Sequence, residues 1–148
     1  MLKVFLGLVL ILTMGLSADA NPQQGSYHLD VSDPAVLQIF HPNSWSNIGT
    51  WDIDFSTSIP PQASIRYIRI TWEILSEGNK TGLEVKLKNE KEDEFIFLFN
   101  NQRTKHFKGE SPFQDWSVKF RVENWENPGR PLQLKITNFV IGWEIEEE

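Results

Sequence analysis

The chain closes on Leu132-Gln-Leu-Lys-Ile-Thr-Asn-Phe-Val-Ile-Gly-Trp143. Apolar residues fall on even positions through Ile136, then on odd positions at Phe139, Ile141, Trp143 and Ile145. A period of two sends successive side chains to opposite faces of a strand, so each half of this stretch has one dry and one wet face. The phase changes by one residue at Thr137-Asn138, with neither Gly nor Pro there. That is the mark of a β-bulge. A hairpin is the alternative, but Thr-Asn is a poor two-residue turn. The stretch predicts one long, bent final strand, placed to contribute to both sheets of a sandwich.

The same alternation recurs upstream. Trp51, Ile53 and Phe55 alternate with Asp52, Asp54 and Ser56; Ile68, Ile70, Trp72 and Ile74 with Arg69, Thr71 and Glu73. Leu83, Val85 and Leu87 alternate with Glu84, Lys86 and Lys88; Trp116, Val118, Phe120 and Val122 with Ser117, Lys119, Arg121 and Glu123. A weaker strand covers Ala35 to Phe40. Pro-, Gly- and Asn-rich segments separate these runs. No segment shows a helical period, and no internal repeat or low-complexity tract occurs. About eight half-buried strands with regular turns predict an all-β fold: a single antiparallel β-sandwich, jelly-roll-like, over residues 35–148. Residues 21–34 read as an extended N-terminal segment.

Phe95-Ile-Phe-Leu-Phe99 breaks the rule by being apolar on both faces. Such a strand is covered on both sides. The expected cover for Ile96 and Leu98 is the long segment Asn100–Asp115, folded back as a lid. A homo-oligomer interface through Phe95–Phe99 is the alternative to a monomer.

The N-terminus has one positive charge at Lys3, an apolar run from Val4 to Leu16, and an Ala-x-Ala site ending at Ala20. That is a secretory signal peptide, cleaved after residue 20, which places the mature protein outside the cytoplasm, secreted or periplasmic. The run is short for a membrane span, which needs roughly 20 apolar residues, so no span is expected after its removal. There is no cysteine in the 148 residues, so packing alone must hold the domain and thiolate chemistry is excluded. A net charge of −6 argues against nucleic acid as a bulk partner. The acidic tail Glu144–Glu148 adds to this.

The six tryptophans divide four to two. Trp51, Trp72, Trp116 and Trp143 are in phase with the strands and read as core. Trp45 and Trp125 lie in loops, where a large apolar ring needs a pocket, a neighbour or a ligand. If each strand reverses the one before, His41–Thr50, Leu75–Gly82 and Asn100–Asp115 share one end of the sandwich. Glu123–Pro131 then lies at the other end, with Trp125 as a packing residue. The expected ligand site is therefore Trp45 with His41, Asn43 and Asn47, joined by Arg103, Lys105 and His106: a ring to stack on a sugar, beside amides and cations. A second candidate is a wet sheet face bearing Tyr67, Arg69, Lys119 and Arg121. An ordinary solvated loop and charged face are the plainer readings of both.

No Gly-x-Ser-x-Gly, His-Glu-x-x-His or Gly-rich phosphate loop is present, and His28, His41 and His106 are scattered. The expectation is a non-enzymatic protein without a catalytic residue or cofactor. A structural calcium could sit at Asp52/Asp54 or at the Glu90–Glu94 turn, though neither follows an EF-hand pattern. Asn79-Lys80-Thr81 is a glycosylation sequon, which calls for an exposed loop.

The early loop with Trp45, the alternating strands and the closing Leu132–Trp143 pattern together resemble the galactose-binding-like jelly rolls that include many carbohydrate-binding modules. The resemblance spans most of the mature chain and carries no ligand residues with it. It implies an exported, lectin-like module that binds a glycan without cleaving it, in some cases with structural calcium. The alternative partner is a surface protein, met through a β-sandwich without a small-ligand site.

Overall fold

The computed structural model describes residues 23–146. The expected signal peptide at residues 1–20 lies outside the described residues. Eleven strands form: β1 (Gln24–His28), β2 (Val36–Ile39), β3 (Gly49–Asp52), β4 (Ser64–Ile74), β5 (Lys80–Thr81), β6 (Glu84–Asn89), β7 (Ile96–Leu98), β8 (Arg103–Thr104), β9 (Asp115–Arg121), β10 (Asn124–Trp125) and β11 (Leu132–Glu144). All pairings are antiparallel. One sheet runs β1-β11-β4-β8, with β2 also on β11; the other runs β3-β9-β6-β7. The two close on a single apolar core, which makes the all-β sandwich that the alternation predicts.

The dry faces supply that core. Leu37, Ile39, Ile68, Ile70, Ile136 and Phe139 from the first sheet, and Leu87, Trp116, Val118 and Phe120 from the second, are each no more than 1% exposed. At roughly 25 cal/mol per Å² of apolar surface removed from water, such residues are the main stabilising term in a domain without cysteine. Trp51, Trp72, Trp116 and Trp143 are all buried.

The closing strand is unbroken over its 13 residues. Ile136 stands opposite Trp72 and Asn138 opposite Thr71, so Thr137 is the extra residue of a bulge. That bulge lets Leu134 and Ile136 point inward before it and Phe139 and Ile141 after it. The strand stays within one sheet, however, and does not serve both. A second irregularity sets Tyr67 opposite Gly142 and Ile65 opposite Trp143, leaving Arg66 as the extra residue on β4.

Four further expectations change. The N-terminal extended segment contains β1, which pairs with the last half of β11 and is part of the sheet. The alternation ends early at two edges: Phe55 is exposed and stacks on Phe113 with centroids 4.3 Å apart, and Leu83 is also exposed. In Phe95–Phe99, Leu98 pairs with Val85 and Ile96 with Leu87, so Ile96 and Leu98 face the core. Phe97 and Phe99 are 57% and 69% exposed. The segment Asn100–Asp115 is no lid over them. It crosses to the other sheet, pairs as β8 with β4, and drives Phe107 into the core against Trp116.

The short β8 also overturns the sorting of loops. It carries the chain from Asn101, whose N–H meets the carbonyl of Ile70, to Gly109, whose N–H meets that of Ile65 at the far end of β4. One strand more than expected turns Glu123–Pro131 to the end that holds His41–Ile48. Asn43 donates its N–H to the carbonyl of Val122, and Trp45 bridges to Arg121, a few residues before Trp125. Trp45 and Trp125 thus share an end.

Candidate functional site

On β9, Asp115, Ser117, Lys119 and Arg121 point away from the core because Trp116, Val118 and Phe120 occupy it. On β6, Glu84, Lys86 and Lys88 point outward for the same reason. The register sets Lys119 directly opposite Lys86 and Arg121 opposite Glu84. On β7, Phe97 stands opposite Lys86. The segment before β3 lies along β9, where Ser46 donates its N–H to the carbonyl of Phe120. The Ser46 hydroxyl accepts the N–H of Phe120 and donates to the carbonyl of Asn47. These bonds hold Trp45 against the outer face.

The result is a sheet face of interleaved rings and cations. Lys119 Nζ lies 4.3 Å from the ring centroids of both Trp45 and Phe95. Lys86 Nζ is 4.3 Å from the Phe97 centroid and 5.1 Å from that of Trp45. Lys88 Nζ is 5.4 Å from Phe95, and the Arg121 guanidinium is 5.0 Å from Trp45. Each distance is within cation–π range. Arg121 also donates to Glu84 at 2.8 Å. Burial pushes the Lys119 ammonium below the usual lysine range, and the neighbouring charges of Lys86 and Lys88 push it the same way. Four cations therefore share one face with the carboxylates of Glu84, Asp115 and Asp52, in a protein whose net charge is −6.

The expected site residues part company. Trp45 is half-buried and meets β6 and β9 cations, not the 103–108 segment. His41 and Asn43 are exposed; Asn43 adopts a left-handed φ of 63°. Asn47 Oδ1 accepts the N–H of Gln38, a bond that ties the loop to β2. Arg103 lies over Tyr67 on the opposite sheet, Lys105 is exposed, and His106 pairs with Glu92 at 2.9 Å. The second candidate also splits, because Tyr67 and Arg69 belong to β4 and Lys119 and Arg121 to β9, on different sheets. Lys86, Lys88, Phe95 and Phe97 escape sequence reasoning. The signal for the lysines was the alternation of β6, whose wet face carries both, and that for the rings was the second apolar face of Phe95–Phe99.

Trp125 is 6% exposed, and its indole N–H donates to the carbonyls of Asn127 and Arg130. The clefts beside it, lined by Asn79, Thr81 and Glu126 on one side and Glu77 and Arg130 on the other, therefore meet a ring whose polar atom is already satisfied. Asn79 is exposed beside it. At β3, Asp52 faces Asp115 across the strand pair. Desolvation first, and then Asp115, push the Asp52 carboxyl up, while the Ser56 hydroxyl and N–H hold Asp54 down. No group of three or more His, Asp or Glu side chains that could hold a metal ion occurs among the described residues.

No protein-family model matches the chain, and no curated protein matches it in sequence. Among solved structures, the chain is similar to the crystal structure of FlhE, with a TM-score of 0.55. The two share 11% sequence identity over 83% of this chain and 99% of that one. The likeness is one of fold. It says nothing of the cations and rings on the outer face.

Proposed function

We propose that this chain is an exported, non-catalytic binding module and that the β3-β9-β6-β7 face takes an extended acidic carbohydrate. The observation that carries this is the Lys119 ammonium, held between Trp45 and Phe95 with Lys86 directly opposite. Like charges set opposite each other across a strand pair are destabilising. A polymer with regularly spaced carboxylates relieves that repulsion. The half-buried ring of Trp45 and the exposed ring of Phe97 offer apolar surface to the C–H faces of its sugars. Side chains two apart on one strand are separated by roughly 6.5–7 Å, so Lys119 and Arg121 meet successive units of a chain laid along β9. The sugar-binding expectation thus keeps Trp45 and exchanges its neighbours. Export rests on the N-terminal run and Ala-x-Ala site, and glycosylation on the exposed Asn79.

The test is retention on an immobilised acidic polysaccharide, polygalacturonate, against a neutral one, dextran. Wild type binds the acidic polymer and is released as salt rises. Trp45→Ala and Lys119→Gln each weaken that binding about tenfold, roughly 1.4 kcal/mol. Binding by both variants equal to wild type contradicts the assignment.

Phe97 and Phe99 favour a second reading. Both are exposed, and they rim a largely apolar cleft with Trp72, Leu83 and Leu98. A protein partner, a second copy included, would cover them. Sedimentation velocity at high concentration separates these cases: a strict monomer removes self-association.

A further inference from the structure

The outer face of the other sheet carries a second group of cations, for which neither the fold likeness nor the carbohydrate reading has a use. Arg69 on β4 and Arg103 on β8 are register partners. Ile68, one residue away, is fully buried, so both arginines point outward. Two guanidinium groups therefore stand opposite each other on one face, a like-charge pairing that a sheet normally avoids. Arg66, the bulged residue of β4, adds a third at the same corner.

The partners of these groups are unequal. Arg66 lies 3.9 Å from the Glu144 carboxylate. Arg103 spends its planar face on Tyr67, with its guanidinium carbon 4.0 Å from the ring centroid. Tyr67 in turn lies across Gly142, where an added Cβ would fall 2.2 Å from the ring. That glycine is what lets the ring lie so close to the sheet, and the ring carries Arg103. Among the described residues Arg69 makes no ion pair, and its Nε is buried without a hydrogen-bond partner there. Leaving a buried donor unmet is costly, and more so for a charged group. Val140 and Gly142 lie beneath this corner, Val140 1% exposed and Gly142 covered by the Tyr67 ring.

The geometry points to a binding site for a tetrahedral oxyanion, a phosphate or sulfate group, between Arg69 and Arg103. A guanidinium presents N–H donors in a planar fork that matches such an anion. One anion accepts from the terminal guanidinium N–H groups of the two arginines and supplies the missing counter-charge to the pair. The site is on the opposite sheet from the carbohydrate face, so either assignment stands or falls without the other.

The probe is inorganic phosphate, added against chloride at constant ionic strength, with glycerol 1-phosphate and sodium sulfate as parallel arms. The readouts are the Arg Nε–H resonances and the melting temperature. Wild type shows a saturable shift of the Arg69 Nε–H signal and a rise in melting temperature. Arg69→Gln and Arg103→Gln each lose the thermal response, and Lys119→Gln keeps it. The exposed Arg103 serves as the second variant if Arg69→Gln does not fold. Tighter saturation by glycerol 1-phosphate than by inorganic phosphate supports the site and assigns it to a monoester; the reverse supports it and assigns the free ion. A non-saturating response, or one unchanged in Arg103→Gln, overturns the proposal.

Discussion

Phe107 meets Trp116 edge to face, with ring centroids 5.0 Å apart and planes at 86°. Both are fully buried, though the immediate neighbours of Phe107, His106 and Lys108, are exposed. This ring, the pairing of β8 with β4 and the backbone bonds between Ile65 and Gly109–Glu110 hold that stretch of the chain to the sandwich. Phe107→Ala should therefore cost about 3–5 kcal/mol, the usual cost of emptying an aromatic site in a core. Urea denaturation reads this as a lower midpoint. A loss below 1 kcal/mol would show that the segment does not anchor through Phe107.

The closing strand could be read from sequence because its phase change is written in consecutive residues. Thr137 proved to be the extra residue where Ile136 and Asn138 face neighbouring positions on β4. The strand at Phe95–Phe99 could not be phased, since apolar residues fill both faces and only the pairing with Val85 and Leu87 selects one. Arg103-Thr104 is too short to show any period, yet it reverses the chain and moved Trp45 and Trp125 to one end. For the site, Trp45, Lys119 and Arg121 were visible as a loop ring and outward cations. Their union with Lys86 and Phe97 depends on which strands lie side by side, a long-range fact that local pattern does not contain.

Ser46 is 8% exposed, and its hydroxyl bonds Phe120 N–H and Asn47 C=O. Ser46→Ala leaves the Phe120 N–H without that acceptor beside the Trp45 bridge. We expect a loss of about 1–3 kcal/mol in stability, together with weaker binding of acidic carbohydrate, because the loop that positions Trp45 loosens. Unchanged stability alongside unchanged binding would show that this clasp is idle.

Asp52 faces Asp115 across β3 and β9, and desolvation together with Asp115 raises its carboxyl above the ordinary value of about 3.9. The folded state then holds its proton longer than the unfolded chain does. The resulting stability is full below pH of about 3.9 and is lost as pH rises through the folded value. Asp52→Asn removes the repulsion, so it should be more stable than wild type at pH 7. The gain is about 0.2–1 kcal/mol at low salt and shrinks with added salt, because Asp52 is exposed. The difference should fade on acidification. A variant less stable than wild type at pH 7 would show that Asp52 has a favourable partner there.

The most direct test of the cation–aromatic face is to map its ligand by NMR, adding a galacturonic acid hexamer to the labelled protein. The account predicts saturable shifts at the Trp45 indole N–H and at the amides of Lys86, Phe97 and Lys119, lost on raising salt. Shifts confined to the Tyr67 face or to the Trp125 end, or no saturable shift at Trp45, would contradict it.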